Sequence, residues 1–412
     1  MACNSIGFSL RQQPLELPGS LSASVRIFAL GALLTFSFIP LSFMRGLTYG
    51  YINYSQIPLF ALCVVALSCY LVRFEADLFA ALALIFLITI SQVIGTAHSP
   101  AAHKSFVMPA IFITSMLIAP SVMLLARSCS LPTLTRLMPR IVNWTLVFLA
   151  IECVTRLILS PLNGTNADTD TSDSFYLYKS SLFFVDSNFV GIEILCLLSI
   201  MFAFRGNIRR NRWLLAYLLL LVSMSRASIA AGICQLIIYK LWRWRVWTFF
   251  GLLAMQALIV VTLFMNYTTQ GSDSVKAIDG SLSSKFFIFT MMVDIYHEAD
   301  AAQKLFGVGA GNFFNLNGIL SAHNIVVTFV TELGIGGSLL FAFYIWVLSR
   351  KCPVSIYLLI LPIFINGFAL VSAWSMPFFF AALGLLGVLR GLPRDEIGAP
   401  ENITASRKAT KG

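Results

Sequence analysis

The chain has 412 residues, of which 58% are hydrophobic and only 11% are charged. Soluble domains carry about 25% charged residues, so a soluble fold is excluded and an all-α integral membrane protein is predicted. The net charge of +10 could suggest nucleic-acid binding, but the basic residues stand in short clusters between apolar runs. Such clusters are orientation signals of membrane proteins, so we expect no nucleic-acid partner.

Twelve apolar runs follow one another along the chain, and a helix needs about 20 residues to cross the hydrocarbon layer. We predict about 12 transmembrane helices within 27–390, after a cytoplasmic N-terminus at 1–26 and before a cytoplasmic tail at 391–412. The polar start and the long first run are not typical of a cleaved signal peptide. The runs are 27–44, 57–72, 78–96, 106–126, 141–159, 183–204, 213–225, 227–241, 247–265, 324–349, 354–372 and 377–390.

Basic residues predict the orientation of these helices. With the N-terminus in the cytoplasm, most of the 28 lysines and arginines fall in inside segments, as the positive-inside rule requires. Segments 160–182 and 266–323 are then periplasmic loops, and the larger one lies between helices 9 and 10. The eight cysteines avoid both loops and form no CxxC pair, so we expect neither a disulfide framework nor a cysteine metal site.

The segment 213–241 allows two interpretations. As one long helix it would place the cations at 240–245 outside, against the charge rule. As a hairpin it has two arms of about 20 Å, shorter than the roughly 30 Å hydrocarbon core. We favour the hairpin, whose tip places Arg226 below the outer surface, where an arginine needs water or an anion. An arginine that snorkels to the interface is the alternative.

The larger periplasmic loop contains two further candidates. Ser281 to Lys285 precede an aromatic run and predict a capped helix that lies against the membrane, extending to about Gln303. Lys285 at its start could share an anion with the helix N-terminus, or it could simply be solvated. The glycine-rich segment 307–312 resembles a phosphate loop but has no preceding strand and no GK[ST], so we predict a flexible turn.

His323 opens the tenth predicted helix, followed by Asn324. A neutral imidazole at the outer face could take a proton from a hydroxyl, although an interfacial structural histidine is the alternative. Glu332 lies half a turn out of phase with His323 and should not pair with it. The glycines at 334–337 predict close helix packing.

Acidic and polar candidate residues lie in the smaller periplasmic loop and just after it. Asp168 and Asp170 resemble the DxD motif of sugar transferases, but a polar loop favours solvated carboxylates, and we predict no metal site. Asp186 and Asn188 stand near the outer start of the sixth predicted helix. They could line the same cavity as the basic candidates.

Several of these motifs occur together, in order, in one known family. The chain resembles the O-antigen ligase/polymerase superfamily, which includes O-antigen ligases and Wzy-type polysaccharide polymerases. The resemblance covers about residues 183–340, and the first half agrees in helix count. The motifs are Phe184-Val185-Asp186-Ser187-Asn188, Ser223-Met224-Ser225-Arg226, Leu305-Phe306-Gly307-Val308-Gly309, Ser321-Ala322-His323-Asn324 and Glu332-Leu333-Gly334-Ile335-Gly336-Gly337.

The resemblance implies a GT-C-like membrane glycosyltransferase of the bacterial inner membrane with its active site facing the periplasm. Such enzymes transfer undecaprenyl-diphosphate-linked glycan to a sugar hydroxyl without a cofactor. Arg226 matches the family's first arginine and His323 its histidine, whereas Lys285 replaces the expected loop arginine and lacks its bidentate fork. We expect Arg226 and Lys285 to stabilise the leaving diphosphate and His323 to act on the acceptor. Asp186, Asn188 and Asn324 are further substrate-binding candidates.

The acceptor and the partners differ between the possible functions. A polymerase of O-antigen or exopolysaccharide accepts another lipid-linked repeat, and a ligase accepts lipid A-core; we favour the polymerase. A chain-length regulator or a flippase is a possible partner, beside membrane lipid. A lipid-linked glycan transporter is the rival class, although its candidate intramembrane acids, Glu152 and Glu193, form no pattern in the sequence. A membrane scaffold would leave Arg226 and His323 without a role.

Overall fold

The structure is a computed structural model of the full chain. It describes residues 22–39, 48–49, 52–53, 56–68, 76–101, 103–163, 187–270, 280–318, 322, 324–352, 354–367 and 376–389.

The described chain is helical apart from one short antiparallel pair, β1 (Thr48–Tyr49) with β2 (Ile52–Asn53), in which Thr48 faces Asn53. The first helices are α1 (Ala23–Phe38), α2 (Gln56–Ser68), α3 (Ala76–His98), α4 (Val107–Arg127), α5 (Leu131–Asn163), α6 (Ser187–Ala203), α7 (Arg210–Val222) and α8 (Arg226–Lys240). The remaining helices are α9 (Arg245–Gln270), α10 (Gly280–Glu298), α11 (Ala301–Phe306), α12 (Phe313–Asn317), α13 (Ile325–Ser349), α14 (Ser355–Gly367) and α15 (Pro377–Val388).

These helices confirm the prediction of a helical protein, and each of the twelve apolar runs contains a helix. Five described helices, α3, α4, α9, α13 and most of α5, are long and apolar enough to cross a membrane. The shorter apolar helices α1, α2, α6, α14 and α15 accompany them. Several long apolar helices in one chain support a multi-pass membrane protein. Twelve crossings remain a prediction.

Several helices extend beyond the apolar runs. The first begins at Ala23 rather than 27, and the Ser22 hydroxyl accepts a hydrogen bond from the Val25 amide at 3.4 Å. Likewise, α5 continues to Asn163 and α9 to Gln270, into segments that the sequence assigns to periplasmic loops. Hydropathy reports only the apolar part of a helix, so helical ends that carry polar residues are missed.

Two helices form the centre of the bundle. In α6 every side chain is buried except that of Asn188, which is half-buried, and most of α15 is fully buried. The contact between α15 and α4 is close, because a Cβ at Gly384 would collide with the carbonyl oxygen of Ala119. By contrast, α9 exposes large apolar side chains such as Trp247 (74%) and Leu258 (67%). Lipid is the solvent that suits such a surface.

An ion-pair cluster joins two helices at one end of the bundle. The buried carboxylate of Asp77, at the start of α3, accepts hydrogen bonds from Arg350 at 2.5 Å and Lys351 at 2.8 Å. Both cations directly follow α13. The start of α3 and the end of α13 therefore lie side by side at this end.

Candidate functional site

The hairpin predicted in segment 213–241 is confirmed. Two helices of 13 and 15 residues, α7 and α8, are joined by a turn at 223–225. Met224 in this turn has a positive φ of 56°, which reverses the chain direction tightly. The Ser225 hydroxyl caps α8 by accepting a hydrogen bond from the Ser228 amide at 3.3 Å. Arg226 is consequently the first residue of α8, and it is exposed.

A buried arginine from another helix holds this turn in place. Arg156 of α5 is only 2% exposed, and its guanidinium donates to the carbonyl oxygens of Val222 at 2.6 Å and Ser223 at 3.2 Å. These carbonyls end α7, where the helix dipole favours a cation. Sequence reasoning missed Arg156, although an arginine inside the apolar run 141–159 was the available signal.

Asn188 lies at the same end of the bundle as Arg226. Gly191, three residues after Asn188 in α6, packs directly on the start of α8: a Cβ there would collide with the Ser228 side chain and lie 3.2 Å from the Cβ of Ser225. Three residues are about one helical turn, or roughly 5 Å. The structure therefore brings the starts of α6 and α8 together.

The start of α13 joins the same end through α14. Asn366 donates a hydrogen bond to the Ser228 hydroxyl at 2.8 Å. Its neighbour Gly367 packs closely against Ile325, because a Cβ added to the glycine would lie only 3.0 Å from the Ile325 Cβ. Asn324 precedes Ile325 and caps α13 by accepting from the Val326 amide at 2.8 Å. Asn324 is therefore held near the start of α8.

The fourth described candidate, Lys285, is carried by α10. This helix packs against the start of α13 through an apolar cluster made of Ile288, Met292, Phe313, Ala322 and Val327. Its other contact is with the end of α9, where the ring of Phe286 lies 5.4 Å from that of Phe264. Lys285 therefore approaches the end of the bundle that carries Asn324.

Two details of α10 differ from the prediction. The helix begins at Gly280, so Lys285 stands in its second turn, beyond the turn where the helix dipole is strong. The helix also ends at Glu298 instead of near Gln303. Asp300 starts a new helix, α11, through a capping box in which Asp300 and Gln303 each accept the other's backbone N–H.

The glycine-rich segment 307–312 contains the predicted turn, and hydrogen bonds also hold it against α13. The amide of Val308 donates to the Thr331 carbonyl at 2.9 Å, and the amide of Gly309 donates to the Glu332 carbonyl at 3.0 Å. These carbonyls are available because α13 is irregular there: residues 328–333 form a π-helical segment, and Gly334 has a φ of +69°. The glycine-rich segment thus pairs with the backbone carbonyls that the irregular part of α13 leaves without helical partners.

Glycines make this docking possible, which confirms the predicted close packing. A Cβ at Gly334 would collide with the Gly307 nitrogen, and one at Gly336 would lie 2.9 Å from the Leu305 carbonyl oxygen. The buried carboxylate of Glu332 accepts a hydrogen bond from the Phe313 amide at 3.4 Å. Glu332 therefore binds backbone of the same loop. Its relation to His323 stays a prediction, because His323 lies outside the described residues.

A cleft of about 400 Å³ lies beside this docked segment. Hydrogen-bond acceptors line it together with an aromatic ring, and the ammonium of Lys304 lies 5.4 Å from the centre of the Tyr296 ring. Acceptors of this kind bind hydroxyl groups, and an aromatic face packs against the apolar face of a ring. The polar or aromatic lining residues are Tyr296, Glu298, Asp300, Gln303 and Thr331.

Some candidates lie outside the described residues, namely Asp186, His323, Asp168 and Asp170. Their assignment stays a prediction. Within the described ranges, no three His, Cys, Asp or Glu residues come together as metal ligands.

Four candidates, Arg226, Lys285, Asn188 and Asn324, are therefore carried to one end of the bundle by contacts among α6, α8, α10, α13 and α14. Comparison with known proteins adds no family to this picture: no protein-family model and no curated protein matches the chain.

Proposed function

We propose that the chain is a membrane glycosyltransferase of the O-antigen ligase/polymerase type. It transfers glycan from undecaprenyl diphosphate to a sugar hydroxyl at the periplasmic face of the inner membrane. The proposal includes about twelve membrane crossings and a GT-C-like fold. It rests on the resemblance of the motifs in 183–340 and on the position of their described residues.

The observation that carries the proposal is the convergence of Arg226, Asn188, Asn324 and Lys285 at one end of the bundle. Two of these residues are cations. They come from segments separated in the chain, Arg226 from a helical hairpin and Lys285 from a helix between α9 and α13. A diphosphate at a membrane surface is a ligand that suits two such cations.

In the proposed reaction, the acceptor hydroxyl attacks the anomeric carbon of the donor with inversion. The bond from that carbon to the diphosphate oxygen breaks, and the electron pair leaves with the diphosphate. Arg226 and Lys285 stabilise the negative charge that develops there. His323 takes the hydroxyl proton or orients the hydroxyl, so the transfer needs neither a nucleotide nor a metal.

The cleft beside α10 and α11 is the proposed binding site of the acceptor glycan. Tyr296 offers a ring face, and Glu298 and Asp300 offer carboxylates to sugar hydroxyls. Its acidic lining would repel phosphate, so acceptor and diphosphate occupy different parts of the site. We favour a lipid-linked repeat as the acceptor, which makes the protein a polymerase; lipid A-core would make it a ligase.

The proposed orientation has a direct test. Reporter fusions after residues 170 and 290 should report periplasm, and fusions after 208 and 400 should report cytoplasm. A cytoplasmic signal at 290 would place Lys285 on the wrong side for a periplasmic reaction.

Substitution of the two cations tests the function in cells. Arg226→Ala should abolish polymeric or ligated glycan while the protein remains in the membrane. Lys285→Ala should also lose activity, whereas Lys285→Arg should retain it because charge and reach survive. Arg140→Ala is the matched control, since this exposed arginine of α5 is remote from the site. Wild-type glycan in both alanine variants would remove these cations from the mechanism.

One observation favours the transporter as a second candidate. Glu193 of α6 and Glu152 of α5 are both 0% exposed, and their charges are close enough to interact. Among the described residues, neither carboxylate oxygen of Glu193 has a hydrogen-bond partner. The two acids thus lie buried on helices that contact each other. Buried acids often serve ion or proton coupling in transporters.

The substitution Glu193→Gln separates the two functions. If the protein is a transferase, this variant keeps glycan transfer, because the Glu193 side chain is fully buried and is not among the groups proposed to react. If the protein is a transporter, lipid-linked glycan should fail to reach the outer face in this variant.

A further inference from the structure

A second cleft lies at the opposite end of the bundle from Arg226. It has a volume of about 100 Å³ and is formed where α6 and α8 end and α14 begins. Because α8 has 15 residues, the two sites are roughly 22 Å apart along this helix. The lining residues are Phe202, Ala203, Arg205, Tyr239, Trp242, Val354 and Leu358.

The cleft has an apolar floor and a cationic rim. Phe202, Val354 and Leu358 supply the apolar part. At the rim, the exposed guanidinium of Arg205 donates to the Tyr239 hydroxyl at 2.6 Å and lies 5.8 Å from its ring centre. A guanidinium has five N–H donors, so this contact orients Arg205 and leaves others for a ligand.

A second arginine is fixed beside the cleft. The guanidinium of Arg245 lies 5.2 Å from the centre of the Trp242 ring and 5.7 Å from that of Tyr357. It also donates to the Trp242 carbonyl at 3.3 Å, and its buried Nε has no hydrogen-bond partner among the described residues. Trp242 thus forms one wall of the cleft, and the Arg245 guanidinium lies against its ring.

The charge around the cleft is strongly positive. The connecting segments 205–212 and 240–245 carry seven basic residues, and the chain has no acidic residue between Glu193 and Asp273. The nearby carboxylate of Asp77 is already bound to Arg350 and Lys351. An anion is therefore the ligand that this rim attracts, and an acyl chain is the ligand that the floor accepts.

We propose that this cleft binds an anionic phospholipid, with its phosphate on Arg205 and an acyl chain on the apolar floor. Basic pockets between helices at the cytoplasmic membrane surface recognise such headgroups. The combination of rim and floor selects a lipid over a free phosphate. The site is independent of the proposed transferase reaction and would stand if that proposal failed.

The test uses the purified full chain in neutral detergent and measures bound lipid by native mass spectrometry. Phosphatidylglycerol should bind more tightly than phosphatidylcholine. Arg205→Ala should weaken the binding of phosphatidylglycerol about tenfold or more, because a hydrogen bond to a charged group is lost. The exposed Arg136 gives a matched control at the same end of the bundle, and Arg136→Ala should bind like the wild type.

A second variant tests the apolar floor without changing any charge. Val354→Phe should fill the cleft and weaken the binding of phosphatidylglycerol. The temperature of thermal unfolding should stay near that of the wild type. Inorganic phosphate should not displace the lipid. The proposal is overturned if Arg205→Ala binds phosphatidylglycerol like the wild type, if Arg136→Ala loses as much affinity, or if phosphate competes fully.

Discussion

Replacement of Arg156 by methionine should destabilise the tip of the α7–α8 hairpin. The side chain is 2% exposed and holds the carbonyl oxygens of Val222 and Ser223. Methionine fills a similar apolar space but donates no hydrogen bond. The variant therefore leaves two carbonyls unpaired immediately before the turn that presents Arg226.

The size of the effect follows from these contacts. Each hydrogen bond from a charged donor contributes about 1.5–3 kcal/mol, so the two together contribute roughly 3–6 kcal/mol. Methionine avoids the desolvation of a buried cation, which offsets part of this loss. We expect the free energy of unfolding to fall by about 3 kcal/mol, with Tm lower by roughly 3–6 °C.

Thermal unfolding of purified protein in detergent measures this change. Arg140→Met is the matched control, because Arg140 lies on the same helix and is exposed. Arg156→Lys should recover part of the stability, since lysine keeps the charge but not the planar fork. An Arg156→Met protein that unfolds at the temperature of the Arg140→Met control would refute the role of Arg156 in holding the turn.

Three further substitutions test contacts between distant segments. Gly334→Ala should lower the free energy of unfolding by at least about 3 kcal/mol, because the alanine would have a φ of +69° and its Cβ would collide with Gly307. Gly318→Ala, at φ +66° in open space, should cost only about 1–2 kcal/mol, and equal losses in the two variants would argue against the docked loop. Asp77→Asn should cost about 1 kcal/mol in low salt and less in high salt, because Arg350 and Lys351 are 36% and 51% exposed. Thermal unfolding at two ionic strengths checks this, and a salt-independent loss would count against the ion pairs.

The sequence was sufficient to predict the apolar helices and the hairpin, but not the short loop helices α11 and α12. Hydropathy gave each apolar run, and the positions of the basic residues at 240–245 favoured two arms over one helix. Helix ends were less accurate, as at Ala23 and Asn163, because polar terminal turns carry no hydropathy signal.

Contacts between distant segments were beyond sequence reasoning. The residues at 307–312 predict a flexible turn but not its docking, because the carbonyls of Thr331 and Glu332 become available only through the irregular start of α13. The hydrogen bond from Asn366 to Ser228 also joins different helices. Side-chain patterns within one helix cannot reveal such pairs.

The most direct test of the central claim is glycan transfer by the purified protein. The donor is lipid-linked glycan extracted from cells that produce the protein, and donor binding is measured beside transfer. The wild type should transfer glycan in the presence of EDTA. Arg226→Ala should lose donor binding, whereas His323→Ala should bind the donor with nearly unchanged affinity but retain at most about 1% of the transfer rate, since general-base contributions are typically about 10²–10⁴-fold. Failure of the wild type to transfer glycan, or wild-type rates in both variants, would contradict the assignment of a glycosyltransferase.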